Sequence, residues 1–247
     1  MYETVNILFI LRKVSMDKIV LVKKVAAGVF YAISALLILL LSVIILKRNT
    51  MLHVSGLLIM AIAICIPVII ATILLLSIVQ EEEKRYMVMK GSISAVFVFY
   101  CLILVAILFL IGHRGDNGAG TVSIKEYLKW NMNLIPFKTI IGYTRFFING
   151  SINESIIIEN LLGNVLLFFP MGILLPCIFE NLRRFNRFAV AMLISLVSVE
   201  ILQLLTRSGI CDIDDIILNF IGAVSAFGIW RLTVIQKLLS KIYVLNR

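Results

Sequence analysis

Apolar residues run in long, nearly unbroken stretches along this chain, at 25–46, 53–79, 92–111, 156–179, 188–206 and 213–235, separated by short clusters of charge. Crossing the hydrocarbon core of a bilayer, about 30 Å, takes roughly 20 mostly apolar residues as helix. All six stretches come close to that length or exceed it. The second is long enough to tilt or to bend at Pro67, and the fourth holds Pro170 and Pro176, whose neighbours must satisfy the backbone groups they free. The pattern predicts an all-α fold: a polytopic transmembrane helical bundle with six spans.

Composition agrees and narrows the class. Of the 247 residues, 61% are hydrophobic and 15% charged, with a mean hydropathy of +1.06; soluble domains sit near 45–50% apolar and 25% charged. An ordinary cytosolic enzyme, a disordered chain and a disulfide-stapled secreted module are excluded together. The net charge of +9 fits a nucleic-acid binder less well than a membrane protein with basic cytoplasmic flanks. With the N-terminus inside, 15 of the 23 Lys and Arg residues fall on inner segments, which predicts both termini in the cytoplasm. No nucleic-acid partner is expected.

Several features read as structural. Residues 1–24 lack the order of a signal peptide, since the basic residues follow the short apolar run at 7–11. They read as a short surface helix, with Met16 an alternative start. The run Glu81-Glu82-Glu83-Lys84-Arg85 is a charge run at a helix end and reads as a solvated loop. Cys65, Cys101, Cys177 and Cys211 make neither a CxxC nor a Cys/His pattern. The long outer connection, 112–155, opens on glycines at 112, 115, 118 and 120, and its 134–148 part reads as interfacial or re-entrant. Two glycosylation sequons, at Asn149 and Asn153, carry no weight.

Polar side chains inside spans are costly and mark functional sites. Beyond Ser, Thr and end residues they avoid the first three spans and gather in the last three. Asn160 and Asn164 share a face of span four at i,i+4. Glu200, Gln203 and Arg207 share one of span five, and Asp212, Asp215 and Asn219 one of span six. Glu200 and Asn219 lie roughly 10 Å below the outer ends of their helices, so the faces meet at one depth and imply a polar pocket open to the outer surface. Arg207 is the expected partner of Glu200. Asp214 points off this face and is expected to be a solvated end residue. The alternative is a structural hydrogen-bond network, with Gly222 and Ala226 as a helix-packing face.

These residues carry a resemblance. Asn133-Leu-Ile-Pro-Phe137, Asn160-Leu-Leu-Gly-Asn164 running on to Pro170-Met-Gly172, Glu200-Ile-Leu-Gln203, Arg207 and Asp212-Ile-Asp-Asp215 running on to Asn219-Phe-Ile-Gly222 resemble the VanZ-like family. One departure is Arg207-Ser-Gly, where members more often read Gly-Arg before the aspartates. The resemblance implies a four-helix core over 90–235, an N-terminal extension with two spans over 1–89 and a cytoplasmic tail over 236–247. It also implies the bacterial cytoplasmic membrane and a role in glycopeptide (teicoplanin) resistance, with no reaction or cofactor attached.

Two functions of different class follow. In one, the pocket binds or transforms a cell-wall precursor or lipid-linked glycan at the outer leaflet. Glu200, Asp215 and Arg207 would be the catalytic groups, with Glu200 as general acid or base. Asn133, Asn160, Asn164, Gln203, Asp212 and Asn219 would bind substrate. Asp212 with Asp215 is a weak signal for a divalent cation, and no metal site is assigned. Neither His53 nor His113 belongs to the cluster, so no Ser/His or Cys/His arrangement is available. In the other, the protein is a scaffold for envelope enzymes, with membrane lipids as its partners.

Overall fold

A computed structural model describes residues 2–46, 54–111, 123–150 and 153–242. Their order is α1 (Tyr2–Leu46), α2 (Val54–Leu76), α3 (Glu82–Val105), a π-helical turn (Ala106–Ile111), α4 (Ile124–Trp130), β1 (Met132–Asn133), α5 (Lys138–Ile148), α6 (Glu154–Leu167), α7 (Phe169–Ile178), a 3₁₀ turn (Glu180–Arg183), α8 (Phe185–Leu205), β2 (Cys211–Asp212), α9 (Ile213–Trp230) and α10 (Thr233–Lys241). Six segments are long and apolar enough to cross a bilayer: Arg12–Val43, Ile59–Leu76, Glu82–Phe109, Ser155–Ile178, Phe185–Leu205 and Ile213–Trp230. They coincide with the six runs in the sequence. The protein is an all-helical, multi-pass membrane protein.

Four details differ from the sequence reading. The expected surface helix is continuous with the first span, because nothing between Tyr2 and Leu46 breaks α1; its 45 residues extend roughly 68 Å at 1.5 Å per residue, beyond the bilayer core. The acidic run is the first turn of α3, not a loop: Glu82 and Glu83 sit at the positive end of the helix, where the dipole favours them. The sixth span ends at Trp230, and after Arg231 the chain turns into the separate helix α10. The fourth span is interrupted at Phe168. Its cause is Pro170, which has no N–H to donate, while the Met171 N–H turns to the Phe168 carbonyl at 3.1 Å. The Tyr100 hydroxyl donates to the Leu167 carbonyl, so a neighbouring side chain satisfies backbone at the break. The glycine-rich stretch 112–120, His53 and His113 lie outside the described residues.

The chain divides into two compact units, with the boundary in α3 between Phe99 and Tyr100. In the first, the hydroxyls of Tyr31, Thr72 and Ser92 bond one another at 2.7–3.3 Å, and Ser34 donates to the Ile64 carbonyl at 3.1 Å. Polar atoms in lipid require such partners.

The second unit, running to Lys241, carries the polar cluster. Glycine sets its helix spacing. A Cβ on Gly222 of α9 would lie 1.8 Å from the Val165 carbonyl oxygen of α6, and one on Gly172 of α7 would lie 2.2 Å from that of Ala223 and 2.6 Å from the Ala226 Cβ. The small residues at 222 and 226 therefore face two different helices across direct backbone contact. On α8, Phe188, Met192, Leu196 and Glu200 are buried at four-residue intervals, and Phe188 stacks on Phe227 of α9 at 4.5 Å between ring centroids. That stacked apolar end of the α8–α9 pair leaves the polar residues at the other.

Candidate functional site

The site forms where α8 ends and α9 begins. The last turn of α8 closes through Ser208 N–H to the Gln203 carbonyl (2.9 Å) and Arg207 N–H to the Leu204 carbonyl (3.3 Å). This is a Schellman ending, whose left-handed position usually belongs to glycine. Here it is held by Arg207, at φ 55°. The chain then runs beside the segment that connects α3 to α6. Cys211–Asp212 pairs in parallel with Met132–Asn133, and the Tyr127 hydroxyl donates to the Gly209 carbonyl at 3.2 Å.

Four carboxylates collect at this corner in two distinct states. Asp212 caps α9, accepting the Asp214 N–H at 2.9 Å. Its oxygens also accept Asn133 Nδ2 at 3.0 Å and the Thr139 hydroxyl at 2.6 Å. Asp214 is fully buried. It accepts three backbone N–H groups at the start of α5, from Phe137, Thr139 and Ile140, at 2.5, 2.7 and 3.1 Å. The expectation of a solvated Asp214 is therefore wrong. Helix α5 has no capping side chain of its own at Phe137, which stands at φ 65°, and the orphan donors of a helix start need an acceptor. Asp214 supplies it from another helix.

Glu200 and Asp215 are engaged differently. Glu200, 5% exposed, accepts the Asp212 N–H at 3.1 Å, and its carboxyl lies within electrostatic range of Asp215 and Asp212. Asp215 is half-buried and accepts Asn164 Nδ2 at 2.5 Å, which ties α9 to α6. One turn deeper on α9, Asn219 is 4% exposed and its Oδ1 is buried without a hydrogen-bond partner. Asn133 Oδ1 shares that condition.

The remaining predicted residues lie further out. Gln203 donates to the Leu108 carbonyl of the π-helical turn at 3.0 Å. The guanidinium of Arg207 rests over the Tyr127 ring, 5.1 Å from its centroid, while the bond to Glu200 comes from the Asp212 backbone. Asn160 is exposed and donates to the Ile156 carbonyl of its own helix at 2.6 Å. Glu200 and Asn133 are thus joined directly through Asp212, Asp215 is bonded separately to Asn164 of α6, Asn219 lies one turn deeper on α9, and Asn160 stands apart.

Two further members carry no signal in the sequence. Thr139 bonds Asp212 and Asn133. Tyr143, also on α5, has its phenol pKa raised above the ordinary value by burial first and then by the charges of Asp215 and Asp212, which places it beside the carboxylates. Burial, Glu200 and Asp212 likewise raise the Cys211 thiol. Among the described residues no three His, Cys, Asp or Glu side chains stand as a metal-binding group. The corner holds buried acceptors without donors at Asn219 and Asn133, and Asp215, Asn164 and Tyr143 at its edge are half-buried.

Comparison with known proteins places this geometry in a family. Residues 97–235, which contain every residue of the cluster, match the VanZ/LLP1 family. The chain is similar to Protein VanZ of Enterococcus faecium, with 28% identity over 126 residues that span 50% of this chain and 68% of that protein. No solved structure gives a significant match. The match covers more than half of the chain, and the protein belongs to the VanZ/LLP1 family.

Proposed function

We propose that this VanZ-family membrane protein binds a cell-wall or lipid-linked envelope compound in the polar corner between α6, α8 and α9, on the extracytoplasmic side of the bacterial cytoplasmic membrane. Through that compound it contributes to glycopeptide (teicoplanin) resistance. The observation that carries the reading is Glu200: a carboxylate 5% exposed on a membrane-spanning helix, beside Asp215 and Asp212. Burying like charges together is expensive, and an apolar residue would pack α8 against α9 more cheaply. A group kept at that cost is a functional candidate. Glu200 then serves as the acid or base of the pocket or as its principal acceptor. Asp215, Asn164, Asn133 and Asn219 supply further contacts.

A scaffold is the second reading, and one observation favours it. The oxygens of Asp212 and Asp214 are filled by protein donors, as in a network whose work is to hold α5 and α9 together. Glu200→Gln separates the two. The amide keeps the shape and is easier to hold in a span than a carboxylate, so a scaffold tolerates it. For a ligand site, teicoplanin resistance is expected to fall to that of a strain lacking the protein, at unchanged abundance in the membrane, with no rescue by adding Arg207→Gln. Wild-type susceptibility in Glu200→Gln refutes the ligand reading.

A further inference from the structure

The donors and acceptors at the corner do not balance, and the imbalance has a sign. Asn219 Oδ1 and Asn133 Oδ1 are buried acceptors with no donor. A buried carbonyl left so is costly, and natural structures keep few. Both are acceptors, and both stand next to carboxylates. In a helix each Cα–Cβ bond tilts toward the N-terminus, so the Asn219 side chain leans toward the turn that holds Asp215, four residues earlier on the same face. Asn219 therefore shares the Asp215 face one turn deeper on α9, while Asp215, Asn164 and Tyr143 are half-buried at the edge of the corner. What is missing is a compact group with several N–H donors and positive charge.

Resting on the ligand reading above, we propose that this corner captures a primary ammonium group of an envelope compound, with Asn219 Oδ1 and the carboxylates of Glu200 and Asp215 as its acceptors. An ammonium has three donors and no acceptor, which matches an amide oxygen plus two carboxylates. A divalent cation fits less well, because Asp212 and Asp214 already spend their oxygens on protein donors and no three acidic groups converge as ligands among the described residues. Guanidinium is planar and wider, a poorer match to an acceptor as buried as Asn219, at 4% exposure. Such an amine can sit on a lipid headgroup or on the side chain of a cell-wall peptide.

The test uses the full-length protein in detergent and reads its thermal unfolding midpoint. Four probes are titrated: dioctanoyl phosphatidylethanolamine, its N-acetylated twin, a lysine dipeptide and its Nε-acetylated twin; calcium chloride is a fifth. A free-amine probe is expected to raise the midpoint in proportion to the logarithm of its concentration, its acetylated twin to leave it unmoved, and whichever amine acts to name the source. Asp215→Asn and Asn219→Leu are expected to abolish the shift. Asn219→Leu also removes the orphan acceptor, so its unliganded midpoint should equal or exceed wild type; a lower midpoint makes Asn219 a structural residue and overturns the proposal. Equal shifts by amine and acetylated twin, a shift with calcium alone, or no shift with either amine overturn it too. Loss of resistance in Glu200→Gln combined with any of these leaves the pocket standing and removes only the amine.

Discussion

Replacing Asp214 by alanine isolates the most unexpected contact in the protein. In the wild type one carboxylate accepts the N–H groups of Phe137, Thr139 and Ile140, and the side chain is fully buried. Truncation leaves three donors, each worth about 1–3 kcal/mol when stranded. Phe137 is 52% exposed, so its N–H can turn to water, and contributions within one network do not add. About 3 kcal/mol is the resulting loss for the docking of α5, which corresponds to roughly a hundredfold at 1.4 kcal/mol per decade. Phe137 also holds φ 65°, a conformation that costs a non-glycine residue about 1–2 kcal/mol and that its bond to Asp214 helps to maintain. The effect should be local. Hydrogen exchange of amides 138–148 is expected to accelerate by about that factor, while amides of α9 around Ala223 and Phe227, in the stacked half of the bundle, keep wild-type protection. Asp214→Asn, which retains one acceptor oxygen, should fall between. Unchanged protection of 138–148 in Asp214→Ala would show that α5 is held by its apolar contacts and that the trans cap is incidental.

Helix spacing supplies a second expectation: Gly222→Ala, whose Cβ would meet the Val165 carbonyl oxygen at 1.8 Å, should cost at least about 1–3 kcal/mol by overpacking. Gly163→Ala, with nothing within 4 Å, should be neutral or slightly stabilising in the same thermal unfolding assay. Tyr100→Phe strands the Leu167 carbonyl at the break in span four and should lower stability by about 1–2 kcal/mol, with the fold retained; no change would mean that another donor reaches that carbonyl. If both termini are cytoplasmic, as the distribution of basic residues predicts, a cysteine at Asn186 should resist a membrane-impermeant reagent and one at Gly120 should react. The reverse pattern would put the carboxylate corner on the cytoplasmic side.

The spans were legible because length and apolarity in a membrane protein are set by the solvent and need no knowledge of neighbours. The break at Phe168 had a signal in Pro170, and the crossing at Gly222 lay within the small-residue spacing of Gly222 and Ala226. Asp214 was misread for a definite reason. Judged by its place on the wheel of its own helix, it points away from Asp212 and Asp215, and that reasoning ignores a helix that arrives from 75 residues earlier in the chain. A signal existed on the other partner: α5 begins at Phe137-Lys138-Thr139 with no Ser, Thr, Asp or Asn at the cap position, so an acceptor had to come from elsewhere. Thr139 and Tyr143 were invisible because one threonine and one tyrosine in an apolar segment carry no spacing that marks them. Arg207 was assigned to Glu200 from proximity along one helix, yet it falls in the left-handed turn that ends α8, and that turn carries it over Tyr127.

The carboxylates of the corner divide into two that fasten helices and two that are sparsely donated. Asp212 and Asp214 fasten the segment that carries α5 to α9, each through several donors. That fastening brings Thr139 and Tyr143 of α5 up to Asp212 and Asp215 and so builds the rim, work that the spans alone do not do. Glu200 and Asp215 stand inside the frame with a single donor described for each, over an asparagine oxygen that has none. Stability to hold such a corner must come from elsewhere in the unit, and α9 shows where. The face that carries Asp215 and Asn219 continues inward as Gly222 and Ala226, whose close packing against α6 and α7 is joined by the stack of Phe188, Phe227 and Trp230. Substitutions at that apolar end should lower abundance of the protein, and substitutions of Glu200, Asp215 or Asn219 should alter what it binds at normal abundance. A purely structural network would instead lower abundance from either end of the helix.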